Sequence, residues 1–231
     1  MDDAERINRR ETLEALSHYQ KKGAIHVDAD TINKMVAEES DRGLVIILSS
    51  FVEDRLLERI LEKLPGANDS VSKALTRPGG LLRDFGARTT MALALGIIDE
   101  ELAEILDVMR AMRNACAHSR QDINLETPEL RAALSLIVLG ESSRTLRETK
   151  HSLVLQVAFI STVGFVLGIL SGESLSQAAR RITKSVESVL EWVKDAELET
   201  SPRRLSDIPF LGSHWLPKGK KPPRQPKPSQ K

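Results

Sequence analysis

From Ser152 to Gly172 the chain runs 21 residues without a charged side chain, and Gln156 is the only strongly polar side chain among them. A segment this long and apolar has to be a helix hidden from water, which allows two settings. Its length just reaches that of a membrane span, although Ser161, Thr162, Gly164 and Gly168 lower its hydrophobicity. Alternatively it is the central helix of a bundle, apolar all round because protein covers it on every side. Gly164-x-x-x-Gly168 would then permit close approach of a neighbour.

The rest of the chain supplies helices to surround it. Only 3% of the 231 residues are aromatic, and the abundance of Leu, Ala, Glu and Arg favours an all-α fold. Residues 4–22 are charged and weakly helical, and residues 30–39 form a short helix behind Asp30. Ser40-Asp41 is a good cap pair, followed at helical spacing by Leu44, Ile47, Leu48, Phe51, Val52, Leu56, Ile60 and Leu64, up to Pro65-Gly66. Leu44–Leu48 is apolar all round and belongs in the core. Glu53, Asp54, Arg55, Glu58 and Arg59 turn one side of the second half towards water.

Pro78-Gly79-Gly80 marks a turn. A helix is predicted from about Leu81 to Leu95, with Leu82, Phe85, Thr89 and Leu93 inward and Gly96 as its stop. Asp99 caps the next helix, whose stripe is Leu102, Ile105, Met109, Met112 and Cys116. Thr127-Pro128 opens another with Pro at its first position, interrupted at Gly140. Beyond Gly172, Leu175, Ala179, Ile182, Val186, Val189 and Val193 make a seam like that of a coiled coil, suited to a partner.

The charge is balanced overall, 33 Lys+Arg against 33 Asp+Glu, but unevenly placed. Residues 201–231 hold eight bases and one acid, leaving 25 bases and 32 acids in residues 1–200. So acidic a body is a poor surface for duplex DNA. Five prolines within 217–228 read the tail as disordered and basic. Its apolar island, Phe210-Leu211 and Trp215-Leu216, reads equally as a segment that docks on a protein partner or back on the body and as an incidental anchor in a flexible linker. One cysteine excludes a disulfide framework and a multi-cysteine zinc site. Five scattered histidines show no metal-ligand spacing, so no cofactor is expected. The opening Met1-Asp2-Asp3-Ala4-Glu5 has no apolar signal region, and a cytoplasmic location is expected.

One stretch carries chemistry: Arg110-Ala-Met-Arg113-Asn114-Ala-Cys116-Ala-His118. Asn114 and His118 lie four apart and share a helix face. Arg113 lies about 140° from His118 on one straight helix. Convergence therefore needs the helix to end near Cys116, or a second copy of the motif. The residue types suit RNA cleavage. A neutral His exchanges the proton of a 2′-hydroxyl that attacks its own phosphate, and Arg110 and Arg113 stabilise charge on the phosphate oxygens. The bland alternative is that the arginines snorkel or pair with Asp107 or Glu104 while His118 marks a helix end. Cys116 lies on the apolar stripe and reads as packing.

Arg113-Asn114-Ala-Cys-Ala-His118 resembles the Arg-x4-6-His motif of the HEPN superfamily, including the polar residue after Arg that its ribonucleases favour. The longer order is similar to the mannitol operon repressor family: helix Leu44–Leu64, then Gly79-Gly80-Leu81-Leu82-Arg83-Asp84-Phe85-Gly86-Ala87-Arg88, Leu95-Gly96-Ile97-Ile98 and Met112–His118. The resemblance spans residues 40–171. It implies an all-α bundle, closed by a buried helix at 150–171, and a homodimer in which Arg and His of two subunits meet. Position by position, Arg113 would bind phosphate, Asn114 would orient it and His118 would act as acid/base. The buried closing helix favours the core setting for Ser152–Gly172 over the membrane.

The organisation that follows is an N-terminal extension over 1–39, a HEPN-like bundle over 40–172, an amphipathic helix over 173–200 suited to oligomerisation, and the tail over 201–231. The functional expectation is metal-independent RNA cleavage of a toxin, defence or RNA-processing type. A noncatalytic regulator of the mannitol-repressor type is the alternative, although no helix-turn-helix is evident. A membrane-associated helical protein comes third.

Overall fold

A computed structural model describes residues 39–138, 152–180 and 183. The predicted helices at 4–22 and 30–39, the break at Gly140, the seam from Val186 onward with Ile182, and the basic tail lie outside the described residues. Every regular element among those described is an α-helix: α1 Asp41–Lys63, α2 Asp69–Thr76, α3 Phe85–Ala94, α4 Glu100–His118, α5 Pro128–Ile137 and α6 Ser152–Leu170. Residues 175–180 are helical as well.

Local chemistry sets the ends. Ser40 Oγ accepts the Gly43 N–H at 3.2 Å and starts α1, and Asp99 Oδ1 accepts the Leu102 N–H at 2.9 Å and starts α4. Pro128 stands at the first turn of α5, where its missing N–H costs nothing. Gly96 follows α3 at φ +62° and Gly172 follows α6 at φ +91°, a backbone that side chains disfavour.

Packing then follows the apolar faces. α1 touches α3, α4 and α6, while α5 bridges α4 and α6. Four helices thus close a ring, with α3 lying over the seam between α1 and α4. Leu44, Val45, Leu48, Val52, Leu56 and Ile60 of α1 and Leu102, Leu106, Met109, Met112 and Cys116 of α4 are all buried in one shared core. Each such side chain contributes about 1.5–3 kcal/mol.

α6 is buried around most of its circumference, Ser161 and Thr162 included. Its length, about 28 Å, comes close to the ~30 Å of a hydrocarbon layer, but its apolar surface is spent on the bundle. Among the described residues no helix is long and apolar enough to cross a membrane. Gln156, the polar exception, reaches the first turn of α1: its Nε2 donates to Asp41 Oδ1. Asp41 Oδ2 also accepts the Leu125 N–H at 3.0 Å, and Ser152 Oγ lies 3.4 Å away. One buried carboxylate thereby ties α1, the loop before α5 and the head of α6.

Four details differ from the sequence expectations. α3 begins at Phe85 rather than Leu81, because Asp84 caps it, Oδ1 accepting the Ala87 N–H at 2.9 Å. The preceding Leu82 N–H instead returns to Leu75 O at 2.9 Å. Gly79 takes φ +81°, and a Cβ at Gly80 would overlap the Leu75 carbonyl, so both glycines of the turn are required. Leu93, expected inward, is 38% exposed, since it lies about 80° round the helix from Phe85. α2 is only eight residues long and buries none of them fully, so its short apolar side, Val71, Ala74 and Leu75, escapes periodicity, although Asn68 caps it by accepting the Val71 N–H. Finally, Glu53 does not meet water: it is buried between two arginines. Of the seam, Leu175 is 57% exposed, while Ala178 beside it is buried.

Candidate functional site

Glu53 sits on α1 between Val52 and Leu56, and Arg88 sits on α3 between Phe85 and Ala92, both within buried faces. Their depth forces them to find each other. Arg88 Nη1 lies 3.3 Å from Glu53 Oε1 and donates to the Glu53 carbonyl oxygen at 3.3 Å. Its Nε donates to Leu82 O at 2.9 Å, and Asp54 Oδ1 stands 3.8 Å from Nη1. From α4, Arg113 Nη2 approaches the other carboxylate oxygen, Oε2, at 3.4 Å. A single carboxylate is therefore shared by two guanidiniums across three helices. Burial nevertheless pushes the Glu53 carboxyl above its usual range, outweighing Arg88 and Arg113, with Asp54 and Asp84 adding to the rise.

The four residues singled out by the motif occupy different settings. Arg113 is 32% exposed at its side chain, and its Nε is buried with no hydrogen-bond partner among the described residues. Arg110, one turn earlier, pairs with Asp107: Nε donates to Oδ1 at 3.2 Å, and Nη2 lies 3.1 Å from the same oxygen. It also lies against Gly86 of α3, where a Cβ would come 3.6 Å from its Nε. Asn114 is half-buried, and His118 is exposed in the last turn of α4.

α4 does not end near Cys116 but continues through His118 to Ser119. Arg113 and His118 therefore keep their separation of about 140°, and α4 does not aim them at one point. Arg110 and Arg113 lie beside Glu53, Asp107 and Asp84. His118 precedes the cap residue Ser119, whose carbonyl oxygen accepts from Arg42 Nη2 at 3.0 Å. A cation there complements the C-terminal end of the helix dipole. Cys116, facing inward one half-turn earlier, is wholly buried. Burial raises its thiol pKa; Arg42 lowers it and Asp41 raises it further.

Sequence reading missed Glu53, Arg88, Asp41 and Arg42. Arg88 had a readable signal. Phe85, Arg88, Thr89 and Ala92 follow the spacing of one inward face, so a charge at the second position required a buried partner. Arg42 had none, because its acceptor is a backbone oxygen 77 residues away.

No family model matches the chain, and no curated protein or solved structure is significantly similar to it. The functional reading rests on the motif and on the geometry just described.

Proposed function

We propose that the chain is a HEPN-like, metal-independent endoribonuclease, of the toxin, defence or RNA-processing type, that works as a homodimer in the cytoplasm. The observation that carries this reading is the division of labour along α4. Arg113 is anchored by Glu53 yet a third exposed, and His118 is an exposed imidazole five residues on. An anchored cation suits phosphate binding, because little freedom is lost when the anion arrives. A solvent-facing imidazole suits proton exchange near neutral pH. In this reading His118 of one copy meets Arg113 of the other, which the unbroken α4 requires for the two to act together.

In the reaction the 2′-oxygen of RNA bonds to its own phosphorus and the bond to the 5′-oxygen breaks. His118 accepts the proton of the 2′-hydroxyl, and the partner's His118 in its protonated form supplies one to the leaving oxygen. Arg113 compensates charge on the nonbridging oxygens and Asn114 orients them, with Arg110 as a further phosphate contact.

The test is RNA cleavage in EDTA by a confirmed dimer, wild type against His118→Ala. Fragments ending in 2′,3′-cyclic phosphate, made by wild type alone, are expected. Intact RNA in both samples, across several RNA types, would remove the nuclease reading. A second reading has its own support: Arg110 and Arg113 already face carboxylates, Asp107 and Glu53. That arrangement suits a noncatalytic regulator of the mannitol-repressor type, in which the motif holds α1 to α4 and His118 is dispensable.

A further inference from the structure

The two arginines on Glu53 are not equally committed. Arg88 is buried and holds Glu53 at both the carboxylate and the carbonyl, each at 3.3 Å, with its Nε fixed on Leu82 O. Arg113 reaches Glu53 through Nη2 alone, at 3.4 Å, from a side chain open to solvent, and the pose leaves its Nε buried and unpartnered among the described residues.

Opening a buried ion pair is normally prevented by the charge left behind. Here that penalty is reduced, because Arg88 stays on Oε1 and on the carbonyl of Glu53 when Arg113 leaves Oε2. Departure also lets Nε find the acceptor it lacks. An anion with two adjacent oxygens offers acceptors to Nε and Nη2 at once, the fork geometry that a guanidinium fits best.

We propose that Arg113 is a partner-switching cation, held by Glu53 in the free protein and transferred to the two nonbridging oxygens of an RNA phosphodiester on binding, while Arg88 retains Glu53. The identity of the anion rests on the nuclease reading; the switch rests on these three side chains. Glu53 is then a competitor that RNA must displace, and Arg88 is a positioning residue that makes the displacement cheap. Asp54 and Asp84, which also face Glu53, disfavour a bound anion, so Arg113 returns to Glu53 when the RNA leaves.

The experiment follows the Arg113 Nε–H resonance by NMR in the full-length protein. The probe is single-stranded 2′-O-methyl RNA, whose blocked hydroxyl prevents cleavage; inorganic phosphate is titrated separately. In wild type the resonance moves as the RNA saturates. Glu53→Gln binds the RNA about threefold to tenfold more tightly, the size of one lost charged competitor. Arg113→Ala removes that gain. Should Glu53→Gln fold poorly, Glu53→Asp, whose shorter side chain withdraws from Arg113, gives a gain in the same direction. A resonance unmoved at saturation, no binding of either probe, or a gain that survives Arg113→Ala would each overturn the switch. RNA cleaved with Arg113 unmoved keeps the nuclease and sinks the switch; Arg113 moved without cleavage of unmodified RNA does the reverse.

Discussion

Arg113 of α4 and Glu53 of α1 are joined by one contact, Nη2 to Oε2 at 3.4 Å, and that contact is the outer half of a pair whose inner half belongs to Arg88. The unequal halves make the energetic role of Glu53 differ from that of an ordinary salt-bridge acid.

Glu53→Gln tests this first. The folded chain holds the Glu53 proton to higher pH than the unfolded chain, whose value is near 4.5. The folded state therefore binds more protons in the interval above 4.5, and stability from this group falls as pH rises through it. Glu53→Gln keeps the shape and an acceptor for Arg88 but abolishes that dependence. At pH 7 the variant should be as stable as wild type or slightly more so, and the difference should shrink towards pH 5. Urea midpoints at both values decide it. A marked loss at pH 7 would mean that the ion pairs outweigh burial.

Arg88→Met should behave in the opposite way. It leaves Glu53 buried with the single contact from Arg113 Nη2 and deprives Leu82 O of its donor. Removing one partner of a buried pair costs about 3–5 kcal/mol. Chemical denaturation at pH 7 reads the loss, and protonation of Glu53 should restore part of it at lower pH.

Two buried polar side chains on α1 should respond with opposite signs. Asp41→Ala strips the Leu125 N–H and Gln156 of their acceptor and should cost about 1–3 kcal/mol for each group left unpaired. Ser49 Oγ is buried and has no partner among the described residues. Ser49→Ala should therefore be neutral or stabilising by up to about 1 kcal/mol. Paired urea titrations on one preparation give both signs.

Cys116 should be silent in the native state. Its thiol is wholly buried and its pKa is raised, so little thiolate forms at pH 8. A thiol reagent such as DTNB should react only on unfolding, with a rate that follows the denaturant dependence of opening. Rapid native reaction would contradict the packing of α4 against α1.

Much of the fold was legible because its signals act within three or four residues. Ser40 and Asp99 each mark a helix start through an N–H one turn away, Pro128 does so by its own fixed φ and missing N–H, and Leu102, Met109, Met112 and Cys116 declare their face by spacing alone. The candidate site was legible only as a list of residue types. Arg113 and His118 stand five apart in any helix, but whether α4 stopped at Cys116 or continued decided whether they could converge, and the cap at Ser119 lies just beyond the motif.

By itself the sequence determined that this chain is helical, where most of its helices begin, and which apolar faces have to be covered. These follow from backbone hydrogen bonds and periodicity, which are local. Only the tertiary structure decided that Gln156 answers Asp41 across 115 residues. It alone decided that Arg88 reaches the Glu53 carbonyl across 35, and that Arg113 shares its carboxylate with Arg88. A charge carries no spacing rule that names its partner. Once packing removes water, each buried charge is forced to pair with whatever opposite group the neighbouring helices present.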